Sequence, residues 1–402
     1  MDTTSEVRER PRLRLVRRLI VVVLALVLVF FAAGGWYFAG RIRSDGLEVK
    51  AYPVERNLTL TPAVGGTVSI RSSDPHETRM LQAPSTFGLK WKGGYGRVSG
   101  AVVSKGKGRV VRRFQVVAGT PPGQGVKAEL DLVAYPDDPT YALGPKVSEV
   151  TYSSPLGRFP AWFVRGKGPD QKTWAILVHG KGGSRMEMFR MTRATVAAGL
   201  HSLDITYRND EGLPRDPSNY YQYGRTEWRD LEGAVAYAAE HGAQRLVLGA
   251  DSMGGGIVAS YLRHRKAGTK SLPVTGLVLD APMLDFARTV EFGARQLEVP
   301  VLGHVPDSLT RTAEWIAAAR YDIDWDAIDY LDDTSWLTMP ALVFHGTADR
   351  TVPIATSREL AKEEPDRVTL VETEGVQHVR SWNADPEAYA AAVKTFVKGL
   401  GN

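Results

Sequence analysis

The chain contains no cysteine. This excludes a disulfide framework, a thiolate zinc site, an iron–sulfur cluster and a cysteine nucleophile together, and it leaves the redox compartment open, because a cysteine-free protein works in either. The eight histidines include no H-x-x-x-H or H-x-H pair and no accompanying carboxylate cluster, so no metal site is expected. No dinucleotide fingerprint occurs, and the GKGGS string at 180–184 lacks the spacing of a phosphate loop, so no cofactor is expected either. Excess charge is scarce as well. Of the net charge of +5, residues 1–18 hold a surplus of three, from Arg8, Arg10, Arg12, Arg14, Arg17 and Arg18 against Asp2, Glu6 and Glu9. The remainder is near balance, without an aromatic-interleaved basic patch, which argues against a nucleic-acid partner.

What is present is an ordinary globular composition, 43% hydrophobic and 24% charged over 402 residues. That is enough for two domains or for one large domain with extensions. From Leu19 to Ala39 the chain runs LIVVVLALVLVFFAAGGWYFA without a charge, the length an α-helix needs to cross the hydrocarbon core. Trp36 and Tyr37 stand where an interfacial aromatic belt would be. The arginines before this run outnumber Arg41 and Arg43 after it, which predicts a cytoplasmic basic tail at 1–18, a single transmembrane helix at 19–39 and the body of the protein outside the cytoplasm, in the cell membrane. A cleaved signal peptide is the rival reading, with Ala33–Gly34–Gly35 as a poor cleavage site; both readings put the body on the outer side.

Residues 46–145 show short β-rich runs separated by Gly and Pro: Thr67–Ile70, Thr86–Trp91, Arg97–Val103, Val110–Val117 and Lys127–Tyr135. Their spacing predicts a small antiparallel β unit, in which the lone His76 reads as a solvated loop residue. From residue 146 to 402 strands alternate with amphipathic stretches, the pattern of an α/β, mostly parallel sheet with helices on both faces. The expected strands are Trp174–Val178, Leu200–Tyr207, Arg245–Leu248, Val274–Leu279, Ala341–Phe344 and Val368–Val371. Residues 283–339 follow a strand yet run nearly sixty residues before the next one, and read as a lid insertion.

The strand QRLVLGA ends in Asp251–Ser252–Met253–Gly254–Gly255–Gly256, and the helical run IVASYLRHR follows. Small residues on both sides of a serine at a strand-to-helix junction allow a tight, strained turn that lifts the hydroxyl above the sheet, and the helix N-terminus behind it favours a developing oxyanion. Serine needs a base, and the base needs an orienting acid. Asp349 in HGTADRTVP and His378 in EGVQHVRSW follow in that order, each after an expected strand; Asp280, ending the strand before, is a second candidate acid. The backbone N–H groups of Lys181, in His179–Gly180–Lys181–Gly182–Gly183, and of Met253 are the candidate oxyanion donors, with His179 holding the loop. Arg208, Asn209 and Asp210 stand at a strand's carboxyl end, where α/β sheets hold ligands. They are candidates for lining a substrate pocket, and capping a turn explains the same residues. The charges of Glu227–Asp230 read as caps and decoration of the next helix.

The stretches HGKGG, GADSMGGG, HGTADRTVP and GVQH, in this order, make the region from about residue 147 onward resemble the α/β-hydrolase superfamily of serine esterases and peptidases; DWDAIDYL and YRNDEG resemble its membrane-anchored bacterial members. The first motif position, usually glycine, is here Ala250. The resemblance implies the α/β-hydrolase fold and a serine hydrolase with Ser252, His378 and Asp349 as its triad. A carboxylic ester hydrolase is the expected activity. A serine peptidase or thioesterase on the same triad is the alternative, since the fold does not set the substrate, and the acidic run Asp322–Asp333 is a weak hint of a clamp for a peptide terminus. An alternative of another class is a catalytically silent cell-envelope binding protein. Phe286, Phe292, Leu297, Val301, Trp315 and Ile316 of the insertion are candidates for an apolar acyl pocket, or for packing of the lid. The β-rich region lies outside the resemblance, and nothing in the sequence speaks to oligomeric state.

Overall fold

A computed structural model describes residues 11–51, 54–106, 108–169, 171–265, 272–299 and 303–400; residues 1–10 of the basic tail and Val301 lie outside the described residues. In chain order, α1 (Pro11–Arg41) precedes the strands β1 (Leu58–Ala63), β2 (Thr67–Ser72), β3 (Phe87–Trp91), β4 (Gly94–Gly106), β5 (Arg109–Gly119) and β6 (Val126–Asp131), with short helices α2 (Pro75–Leu81) and α3 (Pro139–Leu143). Next come β7 (Val147–Ser154), β8 (Gly157–Val164), β9 (Thr173–Val178), α4 (Phe189–Ala197), β10 (His201–Ile205), α5 (Trp228–Glu240), β11 (Arg245–Asp251), α6 (Met253–His264) and β12 (Val274–Asp280). The last part holds α7 (Phe286–Arg295), the two-residue strands β13 (Glu298–Val299) and β14 (Gly303–His304), α8 (Asp307–Tyr321), β15 (Ala341–Gly346), α9 (Ile354–Glu363), β16 (Val368–Thr373), α10 (Ser381–Ala384) and α11 (Pro386–Gly399). Two compact units result, Met1–Glu48 with Val290–Trp325, and Val49–Thr289 with Asp326–Asn402.

In the larger unit the six antiparallel strands β1 to β6 close into a barrel in the order β1-β2-β5-β4-β3-β6. Closure leaves no free edge, and alternate residues such as Leu58 and Leu60, Val68 and Ile70 fill its interior. Strand β1 has no counterpart among the expected strands because its sequence, LTLTPA, carries a proline. The run expected at Lys127–Tyr135 stops at Asp131, where the Asp131 carboxylate accepts the Val133 N–H at 2.9 Å and Ala134 takes φ +62°. His76 lies in α2, exposed, rather than in a loop. One barrel residue breaks the apolar rule. Arg112 is fully buried and donates to the carbonyls of Leu81, Ala83, Ser85 and Gly100 at 2.6–3.0 Å, so four main-chain acceptors are satisfied by one guanidinium.

The second sheet has eight strands in the order β7-β8-β10-β9-β11-β12-β15-β16, with β8 antiparallel to both its neighbours and the rest parallel. Strands β9 and β15 are buried at every residue, which is why they read as unbroken apolar runs. The hairpin β7–β8 was not expected from the sequence: β7 is at the sheet edge and largely exposed, so its composition carries little apolar signal. Helices cover both faces, α4 with α11 on one and α5 with α6 on the other. Strand β9 is flanked by β10 and β11, so the order reverses there, and a crevice is expected above the carboxyl ends of β9 and β11.

Asp204 on β10 is fully buried, accepting hydrogen bonds from Thr192 Oγ1 (2.7 Å) and Ser202 Oγ (3.3 Å). Burial pushes its carboxyl up to about 7. Between the unfolded value near 4 and about 7, the folded protein therefore holds the extra proton, and stability falls as pH rises, by up to about 1.4 kcal/mol per pH unit. We expect Asp204→Asn to flatten the dependence of unfolding free energy on pH across this window, as read by denaturant titrations at pH 5 and pH 8; an unchanged slope would place the titration elsewhere.

In the smaller unit, α1 is long and apolar enough to cross a membrane, as either an anchor or a signal sequence. Its glycine pair is a packing notch. A Cβ on Gly34 would lie 3.0 Å from Leu309 Cδ1, and one on Gly35 2.8 Å from Thr312 Cγ2 and 2.9 Å from Ile316 Cδ1, so α8 approaches α1 through the absent side chains. The Arg320 guanidinium stacks on Trp36 at 3.4 Å. Of the insertion's apolar residues, Ile316 thus packs on α1, Trp315 is 79% exposed, and Phe286, which belongs to the larger unit, stacks on Tyr223 with ring centroids 3.8 Å apart.

Candidate active site

Ser252 occupies the junction of β11 and α6 with φ +52° and ψ −120°, a conformation L-residues rarely hold without support from their surroundings. The support is visible. Ser252 N–H donates to Asp280 O at 3.0 Å, and Ser252 O accepts the N–H groups of Gly255 and Met283 at 2.9 Å. The glycines that follow are required by crowding: a Cβ on Gly254 would stand 2.4 Å from Val178 O, and one on Gly255 2.5 Å from Pro282 Cβ. Ala250 is fully buried within β11, and its methyl is accommodated where the motif usually has glycine.

The Ser252 Oγ lies 2.8 Å from His378 Nε2, and His378 Nδ1 lies 2.7 Å from Asp349 Oδ2. The three residues are 126 and 29 positions apart in the chain and meet because the loops after β11, β15 and β16 open at one end of the sheet. The Asp349 side chain is fully buried and that of His378 21% exposed. Asp349 Oδ1 accepts the N–H groups of Thr351 (2.7 Å) and Val352 (3.0 Å). Burial alone would raise its carboxyl, yet hydrogen bonds from His345 and His378 outweigh burial and hold it well below the usual carboxylate range. The second candidate acid, Asp280, is buried behind Ser252. Burial, reinforced by neighbouring Asp251, pushes its carboxyl well above the usual range.

Gly180, after β9, faces Ser252: a Cβ there would stand 3.1 Å from Ser252 Cβ. The loop from 179 to 183 is held from beneath. His179 is fully buried, with Nε2 3.0 Å from Asp210 Oδ2 and its ring stacked on Tyr207, whose hydroxyl donates to His179 O and Gly180 O at 3.0 and 3.1 Å. Burial would lower the His179 imidazole, but the Asp210 carboxylate overrides burial and raises it. Met253 begins α6, where the first N–H groups have no partner within the helix.

Of the pocket candidates, Asp210 is the partner of His179, and Arg208 and Asn209 are 3% and 2% exposed. Arg208 donates to Asp230 through Nε (2.8 Å) and Nη2 (3.0 Å), and to Asp216 through Nη1 (3.1 Å). Asn209 donates to Tyr220 O and accepts the Asp216 N–H. All three residues are thus engaged inside the chain. Glu227 and Asp230, expected to cap and decorate the next helix, stand at the N-cap and in the first turn of α5 and are fully buried there; Glu227 accepts the N–H groups of Gln222 and Gly224. Their charges stabilise the loop that holds Arg208.

The sheet order, with one antiparallel strand second from the edge, the serine turn after its fifth strand, and the acid and histidine after its seventh and eighth, decides the architecture. The fold is that of the α/β-hydrolases. Solved structures similar to this chain include an esterase of Pyrococcus furiosus, 20% identical over 65% of this chain and 93% of that one with a TM-score of 0.50, and esterase 2 of Thermogutta terrifontis, 20% identical over 64% and 92% with a TM-score of 0.46. No family model and no curated protein matches the chain. The barrel of residues 58–131 is added to the α/β-hydrolase body at its amino-terminal side.

Two positioning groups of this α/β-hydrolase body had no sequence signature. His345 is fully buried, with Nδ1 2.8 Å from Ser357 Oγ and Nε2 3.2 Å from Asp349 Oδ2; its place four residues before the acid in HGTAD is the only hint. Arg190 on α4 ties together what flanks Ser252 and His378. It lies 3.5 Å from the Asp251 carboxylate and donates to Val379 O (3.1 Å) and Asn383 Oδ1 (3.0 Å). Val379 has φ +51°. Asn383 in turn donates to Thr86 O (2.8 Å) and Leu132 O (2.9 Å), so the histidine loop is clamped to the barrel. Among the described residues no group of three or more metal-ligating side chains is found.

Proposed function

We propose that the chain is a membrane-anchored serine hydrolase that cleaves a carboxylic ester. The observation that carries this reading is the unbroken relay Ser252 Oγ, His378, Asp349, at 2.8 and 2.7 Å. Ser252 Oγ attacks the acyl carbon as its proton passes to His378 Nε2. Asp349 fixes the tautomer and stabilises the imidazolium, and the N–H groups of Lys181 and Met253 hold the oxyanion. His378 returns the proton to the departing alkoxide, and water, activated by the same base, releases the acid and restores the serine. The α1 helix serves as an uncleaved anchor, with its arginine-rich end in the cytoplasm and the catalytic body outside, in keeping with the charge asymmetry of its flanks.

The test uses the full chain in detergent, because removing α1 would strip the face of α8 that packs on Gly34 and Gly35. A fluorophosphonate is expected to label the wild-type protein and to leave Ser252→Ala unlabelled, with turnover of short acyl esters exceeding that of aminoacyl amides. The reverse preference would assign a peptidase, and a folded wild-type protein that stays unlabelled would leave the silent envelope-binding protein as the better description. Recovery of a shortened chain in culture fluid, rather than the full chain in membranes, would replace the anchor by a signal peptide.

A further inference from the structure

A cavity of about 360 Å³ lies between the barrel and the histidine loop, lined on one side by Arg79 to Phe87 and on the other by Glu374 to Ala384. It contains none of the residues assigned to the reaction above. Two guanidiniums line it. Arg79 is exposed, and among the described residues its side chain has no hydrogen bond or ion pair. Arg380 is partly buried; among the described residues its Nη1 donates to Met80 Sδ and to Gln377 Oε1 at 3.1 Å, and its Nε is buried with no partner. Neither partner is charged, and a thioether is a weak acceptor. Burial, together with Arg190, lowers the Arg380 guanidinium to about 10 against the opposing pull of the Asp349 carboxylate, as happens to a cation taken from water without a hydrogen-bonded counter-ion. Among the described residues that line it, Glu374, exposed at the rim, is the carboxylate that opposes an incoming anion. The rest of the wall combines the polar residues Ser85, Gln377 and Asn383 with an apolar part supplied by Met80, Pro84, Phe87 and Val376. It is also rigid: Arg112 holds the carbonyls of Leu81, Ala83 and Ser85, and Asn383 holds that of Thr86.

We propose that this cavity is a binding site for a small amphipathic anion, its oxyanion head on Arg380 and Arg79 and its apolar body against Met80, Pro84 and Phe87. The volume is that of about a dozen waters, inside the range of small-molecule pockets. A planar guanidinium with unbonded N–H groups matches a carboxylate or a phosphate, and a charge-assisted pair stabilises both the ligand and the cation that burial leaves exposed to its own field. Arg380 is two residues beyond His378, so an occupant rests on the loop that carries the base. The site stands on geometry and does not depend on the hydrolase reading.

Calorimetric titration of full-chain Ser252→Ala in detergent with hexanoate, phenyl phosphate and, as an uncharged control, hexanol tests it. The expected result is one site for an anion and none for hexanol, with affinity falling about tenfold or more in Arg380→Gln and several-fold in Arg79→Gln, an exposed position where folding is not at stake. Binding of hexanoate alone assigns a carboxylate head and of phenyl phosphate alone a phosphoryl head. Undiminished binding in both arginine variants, or no binding at millimolar ligand, overturns the proposal. So does binding to the wild-type chain that disappears when a fluorophosphonate occupies Ser252, since that ligand sits in the reaction site. Failure of the label itself bears only on the hydrolase.

Discussion

Ser252→Ala will lower kcat on an activated ester by on the order of 10⁴ or more with KM little changed, and His378→Ala will do the same. The double variant will be hardly slower than either single one. The reason is the geometry: Oγ is a nucleophile only while Nε2, 2.8 Å away, takes its proton, so removing either partner removes the same transition-state stabilisation. Asp349→Asn separates the acid's role from packing. The amide preserves the shape of the turn that accepts Thr351 and Val352 N–H groups, yet it offers an N–H to His378 Nδ1 and favours the wrong tautomer, so a loss of about 10⁴ is expected. Retention of more than a tenth of the rate in any of the three variants, by steady-state kinetics on folded protein, would remove that residue from the relay. The same carboxylate contributes to stability. Its folded value is depressed, so its contribution is present above the unfolded pKa near 4 and is lost as pH falls through the folded value.

Arg208→Met will destabilise the larger unit by about 3–5 kcal/mol. Both carboxylates that Arg208 serves, Asp216 and Asp230, have side chains 4% and 0% exposed. Removing the guanidinium leaves two buried anions facing one another, although Thr226 and Ser218 still donate to Asp216, and Ser154 and the Arg208 main chain to Asp230. Burial would lower the Arg208 guanidinium, but its bonds to Asp230 override burial and raise it, as a buried, fully paired cation requires. Denaturant unfolding measures the loss. The same variant asks whether Arg208 touches substrate: KM unchanged on the remaining folded enzyme is the expected outcome, and a rise in KM without loss of stability would move Arg208 into the pocket.

Much of the architecture was legible because local physics wrote it. The unbroken apolar runs at Trp174–Val178 and Ala341–Phe344 report strands buried on both faces, and the small residues around Ser252 report a turn in which a Cβ on Gly254 or Gly255 would meet neighbouring backbone or side chain at less than 3 Å. The hairpin β7–β8 and strand β1 were not legible, since an exposed edge and a strand containing Pro62 carry no continuous apolar signal. The charged residues misled in a consistent way. Arg208, Glu227 and Asp230 look like surface or ligand-facing groups, yet Arg208 and Asp230 are buried because they meet each other across 22 positions, and Glu227 because it accepts the nearby N–H groups of Gln222 and Gly224.

By itself the sequence determined the order of the elements, the turn at Ser252, the placing of Ser252, Asp349 and His378 each after a strand, and a segment apolar enough to span a bilayer, because each depends on neighbours within a few residues. Only the tertiary structure decided that β1 to β6 close into a barrel, that Asp349 rather than Asp280 lies beside His378, and that Arg190 and Asn383 join the nucleophile turn, the histidine loop and the barrel. Those outcomes rest on hydrogen bonds between residues as much as 297 positions apart. Such bonds form only after the sheet has brought its carboxyl ends together, and no local pattern encodes which distant carbonyl or carboxylate a buried arginine or asparagine will meet.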